Sequence, residues 1–113
     1  MTTIAIKKIK DVYDIQLKGH AGYCPGNDIV CSAISILTYT LAQAAKDMEM
    51  NGKGNLIRLQ MQPGNVQIIF APDFMMEWEA ALNTVKAGYY LIQEAYPGYI
   101  EIIDRVGDKE KGT

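Results

Sequence analysis

Near Asp28 the hydrophobic repeat of this 113-residue chain changes from two residues to between three and four, and that change dictates which elements can form. Upstream, Ile4 and Ile6, then Val12, Asp14 and Gln16, alternate with residues of opposite character. This is the repeat of two strands, Thr3 to Ile9 and Val12 to Lys18, turned by Lys10-Asp11. Downstream, Val30, Ile34, Leu37, Leu41, Ala44 and Met48 form one stripe of a long helix that stops at Asn51-Gly52. The sequence then repeats the theme. Strands over Leu56 to Gln62 and Val66 to Ala71 flank a Pro63-Gly64-Asn65 turn. A second helix has the seam Phe74, Trp78, Leu82, Val85, Tyr89, Ile92 and Tyr96, with Asp73 as cap and Pro97-Gly98 as stop. Tyr99 to Asp104 reads as a last strand. The order ββαββαβ predicts an α+β two-layer sandwich: two long helices packed on one face of a mainly antiparallel sheet, over residues 1–106 as a single domain. Residues 107–113 read as a charged, flexible tail.

The composition, 49% hydrophobic and 21% charged, is that of a compact domain able to bury a core without metal or disulfide. A net charge of −2 and a pI near 5.3 lack the basic footprint of a nucleic-acid binder, so no direct nucleic-acid binding is expected. The first residues show no basic segment leading into a long apolar run, and no stretch approaches the roughly eighteen apolar residues of a membrane span. The expectation is a cytoplasmic protein, with no membrane partner and both cysteines as thiols. On the second helix Met75, Met76, Ala80, Tyr90 and Leu91 lie off the main seam. That surplus of apolar surface predicts a homodimer.

The chemistry-bearing residues converge on one stretch. The only histidine, His20, stands eleven residues before Cys31, across a glycine-rich loop that leads into the first helix. Cys31 falls in that helix's first turn, where free backbone N–H groups and the positive end of the dipole favour a thiolate. Read alone, a cysteine beside a helical seam is also a small buried hydrophobe, and a histidine at a strand end is also a structural residue. Asp28 has two readings, as the helix N-cap or as a carboxylate orienting His20, and the cap is favoured because a capping side chain has little freedom to reach an imidazole. Ser35, one turn after Cys31, either touches a substrate or bonds back to a main-chain carbonyl. Gly19, Gly22 and Gly26 give the loop freedom and let a peptide approach the backbone. Cys24 reads as a bystander that could pair with Cys31 under oxidation. One His and two Cys do not make a closed zinc site, so neither metal nor cofactor is expected.

Gly19-His20-Ala21-Gly22 followed by Asp28-Ile29-Val30-Cys31-Ser32-Ala33-Ile34-Ser35 resembles the signature of the ribosomal-processing cysteine protease family, Prp. The resemblance implies a small homodimeric cytoplasmic endopeptidase. Its partner would be the N-terminal peptide of a large-subunit ribosomal protein of the bacterial L27 type, whose short extension it removes by cutting after an aromatic residue. It implicates His20 and Cys31 as the catalytic pair, with Gly19, Gly22, Asp28 and Ser35 as accessory or substrate-binding positions. In such a cycle Cys31 attacks the scissile carbonyl, His20 moves the proton, and backbone N–H groups near Cys31 hold the oxyanion. The competing class is a non-catalytic ribosome-assembly or peptide-binding module using the same groove. A different thiol-dependent hydrolase is a third.

Overall fold

The computed structural model describes residues 1–24 and 26–106; the tail read over 107–113 lies outside the described residues, as does Pro25. The elements follow the expected order: β1 (Thr2–Ile9), β2 (Val12–Lys18), α1 (Ile29–Met50), β3 (Gly54–Gln62), β4 (Asn65–Pro72), α2 (Met75–Ala95) and β5 (Ile100–Asp104). The strands form one sheet in the order β3-β4-β2-β1-β5. Every pairing is antiparallel except β1 with β5, which is parallel. The direction reversals make β3 parallel to β2 and β5 parallel to β4. Each helix is therefore the crossover between two parallel strands, β2–α1–β3 and β4–α2–β5.

Alternation decides which face of the sheet is covered. Ile4 and Ile6 of β1, Tyr13, Ile15 and Leu17 of β2, and Val66, Ile68 and Phe70 of β4 are all buried on the helix side. Their neighbours Asp14, Gln16 and Gln67 stay only partly covered and bond to one another on the other face. A one-residue slip would reverse the two sets, which is why the pattern pins the register. The edge strand β3 keeps Leu56, Leu59 and Met61 opposite Phe70, Ile68 and Val66 by means of a bulge between Leu56 and Arg58. The extra residue, Ile57, is exposed, and a bulged edge is a poor template for pairing with another chain.

Trp78 of α2 is fully buried against Tyr13, edge-on at 5.9 Å, and Phe70, tilted at 4.7 Å. The two helices meet where Gly88 admits Leu37: a Cβ at residue 88 would lie 2.8 Å from Leu37 Cδ1. One step along, Thr38 Oγ donates to the Ile34 carbonyl at 2.8 Å. Its single proton is thereby used, so the Tyr89 hydroxyl 2.7 Å away donates to it. The α1 seam is accordingly rotated from the expected stripe. Thr38, Ala42 and Ala45 are buried beside Val30, Ile34, Leu41 and Met48, while Leu37 and Ala44 are only partly covered because α2 lies to one side.

Three expectations are corrected here. Asp73 does not cap α2; the N-cap is Phe74, with no side-chain cap bond, and the Asp73 and Phe74 amides are satisfied by the Lys53 carbonyl at 2.8 and 3.3 Å. Phe74 itself is exposed beside the Lys53 ammonium rather than in the seam. Finally, α1 at 22 residues is long and apolar enough to cross a membrane by length and composition, although the sequence reading found no such stretch. A core helix passes the same test, and the buried seam of α1 packs on the sheet and α2.

Burial pushes the Tyr89 phenol up to about 12 despite the opposing bond with Thr38. A folded value above the unfolded one means that stability is fully present below pH 10 and is lost as the pH rises through the folded value. Tyr89→Phe is expected to cost about 1 kcal/mol at pH 7, read as a lower urea midpoint with unchanged slope. It should also make the alkaline loss of stability shallower.

Candidate active site

The segment between β2 and α1 carries His20 at one end and Asp28 at the other, and it folds because Asp28 receives several donors at once. Asp28 Oδ1 accepts the Cys31 N–H at 2.9 Å, which closes the first turn of α1. Asp28 Oδ2 accepts the Tyr23 and Cys24 N–H groups at 2.8 and 3.4 Å, which curls the loop over the helix start. Desolvation alone would raise the Asp28 carboxyl, but the N–H groups of Cys31, Cys24, Tyr23 and Val30 outweigh it and hold the carboxyl below its ordinary value. Both oxygens are thus engaged by main chain. Of the two readings of Asp28, the structure supports the cap.

A second restraint on the loop is aromatic. The Tyr23 ring stands edge-on between Tyr96, at 5.3 Å, and Tyr99, at 5.2 Å, the residues that link α2 to β5. The loop is therefore tied to α1 by a carboxylate and to the far end of α2 by an edge-on ring. Further along it the Asn27 amide bonds the Cys24 carbonyl at 3.1 Å, and Gly22 and Gly26 adopt left-handed φ of +76° and +88° that a side chain would resist.

With the loop so placed, Cys31 Sγ lies 4.0 Å from His20 Nδ1. The imidazole is exposed, and Cys31 is partly buried against the edge of the core. A thiol and an imidazole nitrogen at this separation need only a small adjustment for proton transfer, and such pairs are often looser before substrate binds. They open on a cleft of about 680 Å³ lined by His20, Gly22, Gly26, Asp28, Cys31, Ser32, Ser35 and Tyr39.

Of the residues singled out by sequence, His20, Gly22, Asp28, Cys31 and Ser35 come together in this cleft, and Gly19 does not. Gly19 stands behind it, with φ +91°, its N–H donated to the Gly64 carbonyl at 2.9 Å and no room for a Cβ, which would meet the Met1 carbonyl oxygen at 2.7 Å. A left-handed backbone and close packing against Met1 together explain that glycine. The Cys31 amide, one of the backbone N–H groups beside the sulfur, is held by Asp28. Cys24 is an exposed free thiol. Tyr39, not among the residues singled out by sequence, also lines the cleft. Helical spacing carried that signal, because 31, 35 and 39 fall on one face of α1. The Tyr23 stack had no signal, since its partners are more than seventy residues away. Among the described residues no group of three or more His, Cys, Asp and Glu side chains is placed to hold a metal ion.

A helix-mouth thiol beside an imidazole, facing a cleft large enough for peptide, is the equipment of a cysteine hydrolase. The sequence profile described as cysteine protease Prp matches residues 1–101, and the chain belongs to that family. It is a cysteine protease. Three crystal structures share the fold. The ribosomal processing protease Prp of S. aureus with a covalently linked product peptide aligns with a TM-score of 0.73 at 20% identity, over 92% of this chain and 99% of that one. The same enzyme with a substrate peptide aligns at 0.69 and 19% identity over the same shares, and a protein of Streptococcus mutans at 0.59 and 22% identity over 92% and 95%. No curated protein sequence matches the chain significantly.

The depressed Asp28 carboxyl stabilises the fold above its ordinary value of 3.8, and the contribution is lost as the pH falls through the lower folded value. Asp28→Asn keeps one acceptor and loses the other charge-assisted bonds. Its melting temperature is expected to fall by a few degrees at pH 7, and the gap to the parent chain should close on acidification below 3.8.

Proposed function

We propose that this protease removes a short N-terminal extension from a large-subunit ribosomal protein of the bacterial L27 type, cutting after an aromatic residue, with Cys31 as nucleophile and His20 as general acid and base. The observation that carries the reading is the approach of Cys31 Sγ to His20 Nδ1 at 4.0 Å on an open cleft. The likeness to an S. aureus enzyme described as a ribosomal processing protease and crystallised with substrate and product peptides supports the substrate class.

The geometry dictates the proton bookkeeping. Nδ1 faces the sulfur, so the neutral ring must carry its hydrogen on Nε2 to accept the thiol proton. The thiolate then adds to the scissile carbonyl carbon, the C–N bond breaks, and the proton held at Nδ1 passes to the departing amine. Water, deprotonated by the same nitrogen, hydrolyses the thioester and returns the thiol. Because Asp28 holds the Cys31 amide, oxyanion stabilisation falls to other amides of the cleft. Ser32, Ser35 and Tyr39, along one side of α1, offer hydroxyl contacts and an aromatic face to an extended peptide.

The reaction belongs in a reducing compartment, the cytoplasm, where the thiol persists. A homodimer is supported by Met76, Ala80, Tyr90 and Leu91, which remain exposed on α2, whereas Met75 turns inward with its sulfur 3.3 Å from the Tyr13 hydroxyl, which donates to Glu79. Sedimentation should report a dimer that Leu91→Asp shifts toward monomer; a monomeric parent chain at micromolar concentration overturns that part.

For the activity, the purified chain is incubated with peptides whose N-terminal prefix ends in paired aromatics. Mass spectrometry should find cleavage on the carboxyl side of an aromatic residue, lost on the order of a thousandfold or more in both Cys31→Ala and His20→Ala. Binding without cleavage by the parent chain would instead favour the peptide-binding module.

A further inference from the structure

The imidazole of His20 has two neighbours that matter, and only one of them is the sulfur. Its other edge faces the β3–β4 turn, contributed by a hairpin more than forty residues away in sequence. A Cβ built on Gly64 would lie 2.6 Å from His20 Nε2 and 2.7 Å from Cε1, closer than real Cβ atoms come to anything. The same residue adopts φ +70° and accepts the Gly19 N–H through its carbonyl at 2.9 Å, which ties the turn to the residue preceding His20. The ring therefore occupies the space that a side chain at 64 would fill. We infer that Gly64 is a positioning residue of the protease: its bare α-carbon leaves the pocket in which the His20 ring sits with Nδ1 toward Cys31.

The inference rests on the proposed role of His20, but its physical content is separate. Crowding at Gly64 is relieved at the softest point. The two closest atoms belong to the far end of an exposed side chain, and the next, the Gly19 carbonyl oxygen at 3.3 Å, to backbone at a milder distance, so the ring yields before the backbone does. Displacing a general base by an ångström lowers turnover without removing the peptide cleft, whose lining residues do not include Gly64. The effect should fall on kcat rather than KM.

Gly52 supplies the control. It has nearly the same backbone conformation, φ +72°, with nothing within 4 Å of a Cβ, so Gly52→Ala imposes the left-handed strain without the contact. Gly64→Ala is expected to lower kcat about tenfold to a hundredfold with KM changed little, whereas Gly52→Ala stays within about twofold. Their melting temperatures should fall alike. Because the chain has one histidine, its imidazole resonances are unambiguous, and they should shift in Gly64→Ala and hold in Gly52→Ala. If Gly64→Ala does not fold, Gly64→Asn carries the same Cβ on a residue that tolerates positive φ, and should show the same displacement against Gly52→Asn.

Unchanged imidazole shifts in the Gly64 variants, or equal loss of kcat in the Gly64 and Gly52 pair, would overturn the inference. Cleavage surviving in His20→Ala would instead end the reading of His20 while leaving the resonance test of the contact intact.

Discussion

One carboxylate organises the site. Asp28 is at once the cap that starts α1 and the acceptor that curls the preceding loop, and the residue whose amide it takes as cap is Cys31 itself. A helix start that is fixed by a charge-assisted bond places the third helical residue at a defined distance from the loop. The sulfur therefore has one station, and the loop that carries His20 at its far end is measured from the same oxygen atoms. Without that shared anchor nothing would tie the loop to the start of α1, and the separation of sulfur and imidazole would be left to a glycine-rich segment held by the Tyr23 ring and by the bond of Gly19 to Gly64.

The rest of the molecule serves that geometry by making α1 immobile. Its seam is packed on the sheet, and the Thr38–Tyr89 bond and the Gly88–Leu37 approach lock it against α2. The second helix in turn places Tyr96, and the strand after it follows Tyr99, so their edge-on contacts with Tyr23 tie the loop between β2 and α1 to the position of α2. Loop, helix start and hairpin turn meet at one end of β2 because the α1 crossover sets β3 parallel to β2, so β3 ends and turns into β4 beside Lys18.

Much of this was legible beforehand for a simple reason: period and punctuation are local. Alternation in β1, β2 and β4, the helical seams, and the Asn51-Gly52 and Pro97-Gly98 stops come from steric preferences within a few residues, and each element lies within two residues of its expected bounds. His20 and Cys31 were legible because they flank a single loop and match a family signature. The misplaced features are the ones that depend on contacts between distant segments. Asp73 has the chemistry of a cap, but the Lys53 carbonyl arrives from the end of α1 and takes the Asp73 and Phe74 amides, and the helix starts one residue later, with Phe74 at the N-cap. Gly19 looks like a hinge and is a packing glycine, because only the folded sheet brings Met1 against it.

The amino-acid order on its own determined the alternation of strand and helix, the inward face of β1 and β4, and the presence of one thiol and one imidazole near a helix mouth, since these follow from residue spacing and backbone sterics. Only the folded chain decided that Nδ1 faces the sulfur, that the cap occupies the Cys31 amide, that Tyr39 joins the cleft and that Gly64 backs the ring. Those are relations between surfaces far apart along the backbone, and their distances are set by the packing of helices on a twisted sheet, which no local preference encodes.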